Sequence, residues 1–451
     1  MGPLLQDEPI LPMLADVLSN SLVLQQTAPY LPVASIYALA ATSRALHRIV
    51  HHSSEVFRYL DLSVVKSAIL PYEPLDSGGI SWRVERMDES LTEDEFYSGP
   101  LRGIFSTLQR QHVLYSIHTL VLDGLSVPAD LVREIIADDR FNVRILSIRE
   151  AKHLNERKLQ QVLRYAVRPS RPRGTPKIRG IYFFGPREST QVRDVPIDKK
   201  SSPNSSRGVM FSQGARIGAE WNQKSSDALN AIMAPTEDKW YQCSGRMMAK
   251  RPSHEWAETL KACEGIIAFD AILCRGPRHD ASKAYINNAP GGLPNPASYL
   301  SPAIATVALG PAGCETCHSC PEGPAIYGHS PTSALPLLSP IPLHSSSLRA
   351  TQIPQTADGS QPPSLYARCE DCLKGRWCER CHKWWDEDCY TASTVAQRTE
   401  LQQTEFIEDV SANGTTRIMP KKIIKVHMGL CVENCLVDEM MAGAGSNGMW
   451  G

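Results

Sequence analysis

Cysteine placement constrains this chain more than any other feature. Of 13 cysteines, only Cys243, Cys263 and Cys274 precede residue 314, and the other ten fall between 314 and 435. Cys314 and Cys317 form a pair with Cys320 two spacers on; Cys369 pairs with Cys372 and Cys378 with Cys381; Cys389, Cys431 and Cys435 complete the set. Two thiolates separated by two residues can face one ion, because a tight turn brings their sulfurs to tetrahedral spacing with metal–sulfur bonds of about 2.3 Å. Soft sulfur ligands select zinc over calcium or magnesium. The expected ligands are therefore Cys314, Cys317, Cys369, Cys372, Cys378, Cys381, Cys389, Cys431 and Cys435, with Cys320, Asp386 and His382 as further candidates; His318 and His329 can also replace members. Ten cysteines complete two four-sulfur sites with two left over, so two zinc ions are expected. Closed sites with four protein ligands leave no position for a reacting water, so the expected role is structural.

Disulfides are not expected. The first thirty residues carry Asp7 and Glu8, lack a basic head and are broken by Pro3, Pro9, Pro12 and Pro29, so no secretory signal is expected. No apolar run approaches the about 20 residues needed to span a bilayer, so no membrane contact is expected either. A cytoplasmic or nuclear location follows, where clustered thiols bind metal before they pair. The formal net charge of −1 provides no field to gather a polyanion, which disfavours nucleic acid as a partner.

Between about 117 and 310 an aliphatic motif recurs: one aliphatic, two spacers, a second, one spacer, a third. It appears as Ile117, Leu120, Leu122; as Val143, Leu146, Ile148; as Ile178, Ile181, Phe183; and as Ile304, Val307, Leu309, with a weaker copy at Cys263, Ile266, Ala268. The one-spacer pair puts two side chains on one face of a strand. Pro128 to Ile136 and Leu154 to Val167 have aliphatics at helical spacing, so each unit is expected to run strand then helix. A general α/β domain is the alternative to a stacked repeat. Two segments, about 186–230 and 321–368, are expected to be disordered; the second holds nine Pro and eight Ser in 48 positions.

Residues 21–62 read as two or three short amphipathic helices around a Tyr30-Leu31-Pro32 corner. The order Tyr30-Leu31-Pro32, Ile36, Leu39, Ser43-Arg44, Leu46 and Val50, followed by Phe57-Arg58-Tyr59-Leu60-Asp61-Leu62, resembles the F-box, a helical module that docks on the Skp adaptor of cullin-RING ubiquitin ligases. The family opens with Leu-Pro about a dozen positions before the corner, where this chain has Ser19-Asn20 and carries Leu11-Pro12 further upstream. Together with the repeats, in which Asp123-Gly124-Leu125 and Val143 to Arg149 look like irregular leucine-rich repeats, the chain as a whole is similar to fungal F-box proteins with a C-terminal cysteine-rich region.

That resemblance implies an α+β, multidomain chain: an irregular or disordered 1–20, F-box helices at 21–62, an irregular α/β leucine-rich-repeat solenoid at 63–310, a small zinc-bound module at 311–440 and a glycine-rich tail at 441–451. It implies a non-catalytic substrate receptor of an SCF-type ligase, which binds the Skp adaptor and cullin and an unknown protein substrate. Adaptor contacts would come from Tyr30, Leu31, Pro32, Ile36, Leu39, Arg44 and Leu46. The order of the cysteine pairs also permits interleaving, first with third and second with fourth, which would resemble a RING cross-brace and make the module a ligase in its own right; a zinc-binding interaction module acting without a cullin is the other alternative. Where relatives place a Cys after Trp-Trp, this chain has Trp384-Trp385-Asp386; Asp386 could bind through oxygen, or Cys431 and Cys435 could supply the missing ligand. Trp384 and Trp385 are candidate partner anchors, but the preferred reading is that one covers the metal cluster and the other packs on the repeats.

Overall fold

The structure is a computed structural model and describes residues 14–70, 93–188, 241, 244–248, 251–280, 299–320, 322–354, 361–386, 389 and 425–444. Residues 189–230 of the first polar insert, Cys243 and the tail from 445 lie outside these.

The chain is mixed α/β. Four short helices come first: α1 (Leu14–Ser19), α2 (Ser21–Thr27), α3 (Val33–Thr42) and α4 (Arg44–His52). Residues 14–19, expected to be irregular, are thus helical. The Asn20 side chain caps α2 and Ser43 caps α4, accepting the amides of Leu22 and Leu46 at 3.0 and 3.2 Å. Ile36, Ala40, Leu46 and Val50 point inward and join the main core.

That core lies against a five-stranded parallel sheet whose strands follow chain order: β1 (Tyr59–Asp61), β2 (Thr119–Val121), β3 (Ile145–Ser147), β4 (Gly180–Tyr182) and β6 (Ala268–Phe269). Helices α5 (Glu93–Arg110), α6 (Ala129–Ala137), α7 (Glu156–Ala166) and α8 (Glu255–Cys263) separate consecutive strands. Register aligns Leu60, Leu120, Leu146, Ile181 and Phe269 in one row, all buried on the helix-covered face. Leu131, Val132 and Ile135 of α6, Leu159 and Leu163 of α7, and Trp256 and Leu260 of α8 complete the layer. The first three motif copies therefore lie on this sheet; of the weak copy only Ala268 does, since Cys263 ends α8 and Phe269, not Ile266, continues the row of Leu120. The copy at Ile304, Val307, Leu309 does not. β7 (Val307–Leu309) is the middle strand of an antiparallel sheet between β5 (Ser244–Arg246) and β10 (Ala367–Arg368). The first strand instead comes from Tyr59–Asp61, inside the segment assigned to the N-terminal helices, so the expected boundary at 62/63 falls in the sheet.

An antiparallel pair, β8 (Ala325–Ile326) with β9 (Ser364–Leu365), a short hairpin, β11 (Val426–His427) with β12 (Leu430–Cys431), and the helices α9 (Leu348–Gln352), α10 (Glu370–Leu373) and α11 (Cys435–Ala444) make up the C-terminal part. The Pro/Ser-rich insert is not disordered over its described residues. Leu335, Leu337, Leu338 and Ile341 are buried. Leu337 and Ile341 pack on Val121, Ile145 and Tyr182, the sheet face opposite the helices. Gly180 makes room for this: a Cβ there would come within 3.2 Å of the Leu337 side chain. A composition too polar to build its own core is ordered because the sheet supplies the apolar surface.

Candidate metal centres

Among the described residues three groups of four ligand atoms converge, rather than the expected two, with the atoms of each within 4.8 Å of one another. The first joins Cys274, His279, Cys369 and Cys372; the second Cys378, Cys381, Cys431 and Cys435; the third Cys314, Cys317, Asp386 and Cys389. All the described cysteines are free thiols. Sulfur separations of 3.7 Å between Cys274 and Cys372, and between Cys381 and Cys431, fit two thiolates on one tetrahedral ion, about 3.8 Å for bonds of about 2.3 Å. They are far from the about 2.05 Å of a disulfide.

The first centre is built across the chain. Cys274 follows the bridge between Leu273 and Ile304, and a turn at Pro277–His279 presents the imidazole. His279 Nδ1 lies 3.2 Å from the Leu300 carbonyl, which aims Nε2 at Cys369 Sγ, also at 3.2 Å. Cys369 caps α10, accepting the Cys372 amide at 3.4 Å, and Cys274 accepts the Cys369 amide at 3.2 Å. Gly276 is required by close approach, since a Cβ would stand 2.7 Å from Cys372 Sγ. Burial opposes charge on both His279 and Cys274. Even so, hydrogen bonds with Cys274 and Cys369 push the imidazole up to about 10, while Cys369, Cys372 and His279 hold the Cys274 thiol well below its usual range. Hydrogen bonding to Cys274 and Cys369, then burial, drives Cys372 the other way. To hold a metal ion here the imidazole would give up its proton and the thiols would ionise.

In the second centre, Cys378 and Cys381 sit on a turn, Cys431 ends β12 and Cys435 opens α11. Burial raises the Cys378 thiol, but the amides of Cys381, Cys431 and Arg380 outweigh it and bring the group down to about 7. In the third, Asp386 supplies oxygen: its Oδ2 is 3.0 Å from Cys317 Sγ, its Oδ1 accepts the Cys389 amide at 2.7 Å, and its own amide lies 3.4 Å from Cys314 Sγ. Cys317 and Cys389 are exposed, which makes this the most open of the three.

All nine cysteines expected as ligands are placed in a centre, and Asp386 joins them. Pairing differs from the interleaved scheme: Cys314 and Cys317 share a site with 386/389 instead of 378/381, and 369/372 reaches back to residues 274 and 279. No cross-brace forms. The module also does not begin at 311, because its first centre needs two ligands from before residue 280. Cys274 and His279 were not anticipated; a Cys and a His four spacers apart was the available signal, but a lone cysteine more than 90 residues from its pair carries no local geometry. His318 and His382 are not ligands. Each follows a Cys-x-x-Cys step with positive φ, 54° and 60°, and donates its amide to the first cysteine's carbonyl, closing the turn. His329 joins no centre. Cys320 joins no centre among the described residues, and its sulfur accepts from Arg368 at 3.6 Å.

Arg368 and Arg376 both bind the buried Glu322 carboxylate, at 2.9 and 3.2 Å. Arg376 also donates to the Cys372 carbonyl at 2.8 Å and the Trp385 carbonyl at 2.9 Å, so one fully buried guanidinium ties the first centre to the third. Trp384 and Trp385 are 2% and 3% exposed and pack with Val307, Leu309 and Trp377, which rules them out as surface anchors.

At the N-terminus the expected adaptor residues divide. Ile36 and Leu46 are sealed in the core and Leu39 is half-buried against it; Tyr30, Leu31, Pro32 and Arg44 are exposed. Tyr30 stacks obliquely near His344, its hydroxyl 3.2 Å from Nε2. Leu14, Val17 and Leu22, which were not anticipated, are exposed too.

No family model matches the chain, and no curated protein matches it. None of the described helices is long and apolar enough to cross a membrane.

Proposed function

We propose that this chain is the substrate-recognition subunit of an SCF-type ubiquitin ligase, docking the Skp adaptor through α1–α4 and presenting substrate beside the parallel sheet. The observation that carries this is the split character of the N-terminal helices. Their inward residues, Ile36, Leu46 and Val50, join the protein's own core, whereas Leu22 at 69% exposure, with Leu14, Val17 and Leu31, remains open to water. So many large apolar side chains exposed within residues 14–31 are consistent with an apolar partner. In-order parallel strands separated by helices support the repeat reading. In this role the protein makes no bonds; it raises the effective concentration of a substrate lysine near a charged conjugating enzyme. The metals are zinc, chosen by sulfur-rich, tetrahedral donor sets, and their role is structural. A RING-like ligase is disfavoured by the pairing of Cys314 and Cys317 with Asp386 and Cys389.

Co-purification with the Skp adaptor tests the reading. Wild-type chain should retain the adaptor, the Leu22→Asp, Leu31→Asp double variant should lose it, and Tyr165→Ala, exposed elsewhere, should keep it. Equal retention by the double variant, or none by wild type, defeats the proposal.

A further inference from the structure

The segment over the sheet face opposite the helices meets a buried guanidinium at Ser339. Ser339 is exposed, as is Pro340 after it, and its Oγ accepts a hydrogen bond from Arg149 Nη1 at 2.9 Å. Arg149 is only 2% exposed and already engaged: Nη2 meets Asp123 Oδ2 at 2.9 Å, Nε meets the same oxygen at 3.0 Å, and Nη1 is 3.5 Å from Glu188 Oε1. The Glu188 carboxylate in turn accepts the amide of Ile341, two residues beyond Ser339. Around this point the segment has few backbone ties to the sheet. The Leu337 amide donates to the Phe269 carbonyl and the Tyr182 hydroxyl to the Leu338 carbonyl, each at 2.8 Å, and Leu337 and Ile341 lie on Val121, Ile145 and Tyr182.

We propose that Ser339 is a phosphoacceptor for a proline-directed protein kinase, and that its phosphorylation releases residues 335–343 from the sheet. The kinase transfers the γ-phosphoryl group of ATP to Ser339 Oγ: the bond from the γ-phosphorus to the β,γ-bridging oxygen breaks, the Oγ–P bond forms, the hydroxyl proton passes to the kinase's base, and ADP leaves. The product carries a charge of about −1.5 to −2 where a neutral acceptor stood. It faces one guanidinium whose charge is already balanced by Asp123, with the Glu188 carboxylate on the same nitrogen. Repulsion from these carboxylates, together with the loss of the Ser339–Arg149 bond, favours the solvated phosphate over the docked one. Detachment bares Val121, Ile145 and Tyr182 on the sheet face opposite the helices. The switch stands apart from the receptor proposal; if that proposal holds, the bared face is the substrate surface. Ser330, also followed by proline, is an internal contrast, since its hydroxyl accepts the Ile326 amide at 2.7 Å.

The test uses the full, metal-loaded chain with magnesium, ATP and a purified proline-directed kinase. Mass spectrometry should find Ser339 modified in the native protein. Hydrogen exchange at the amides of Leu337 and Leu338 should then accelerate by about tenfold or more, as loss of a charge-assisted bond implies, with metal content unchanged. Glu188→Gln should blunt the acceleration in the phosphorylated chain, because it removes one repelling charge. Modification at Ser339 only after denaturation, exchange unchanged or slowed by phosphorylation, or full acceleration in Glu188→Gln would each overturn the proposal.

Discussion

Replacing Cys274 tests whether the C-terminal region holds three metal ions rather than two. Cys274 is the ligand furthest in sequence from the cysteine-rich run, and Cys274→Ala removes one of four donors from the first centre while leaving the other two centres intact. A structural zinc site supplies about 10–16 kcal/mol of binding free energy, so an even share per ligand is about 2.5–4 kcal/mol, equivalent to roughly a hundredfold to a thousandfold weaker binding at that centre. Cys274→Ala also leaves His279, Cys369 and Cys372 around a poorly filled space beside Gly276, so the centre has no nearby substitute donor among the described residues. Elemental analysis after dialysis against a zinc buffer should give three zinc ions per wild-type chain and two for Cys274→Ala. His279→Ala should match Cys274→Ala. Cys320→Ala should still hold three, because that thiol bonds Arg368 rather than a metal. Two ions in wild type, or three bound equally tightly in Cys274→Ala, would refute the assignment of the first centre.

Two further outcomes follow from burial. Burial pushes the Cys263 thiol up to about 12, the nearby Arg164 lowering it only in part, so in the unfolded chain it ionises near 9 and in the folded chain three units later. The folded state holds the proton more tightly, and the stability this contributes, on the order of 4 kcal/mol at 1.36 kcal/mol per unit, is present below pH 9 and lost as pH rises from 9 to 12; mass spectrometry at pH 8.5 should find Cys263 unalkylated by iodoacetamide until denaturant is added. Leu146→Ala, at the centre of the buried row on the sheet, should lower stability to urea by about 2–5 kcal/mol, whereas Leu22→Ala should change it by less than about 0.5 kcal/mol; equal effects would mean that the inward and outward faces have been confused.

What was legible in the sequence was local. Period-two aliphatics placed Leu120, Leu146 and Ile181 on strands, and they align in register. Cys-x-x-Cys steps pointed to six candidate ligands, 314/317, 369/372 and 378/381, because a turn of four residues sets the sulfur spacing by itself. Partnership between distant pieces is decided by the path of the whole chain. Only the folded protein shows that Cys369 and Cys372 turn to Cys274 and His279, that Asp386 completes a site with Cys314, or that Trp384 faces inward. The same reason explains the Pro/Ser-rich segment: its composition lacks a core of its own, but Leu337 and Ile341 find one on Val121, Ile145 and Tyr182. Spacing along a chain determines what a few neighbouring residues can do, and burial is a property of surfaces that meet only once the chain has closed on itself.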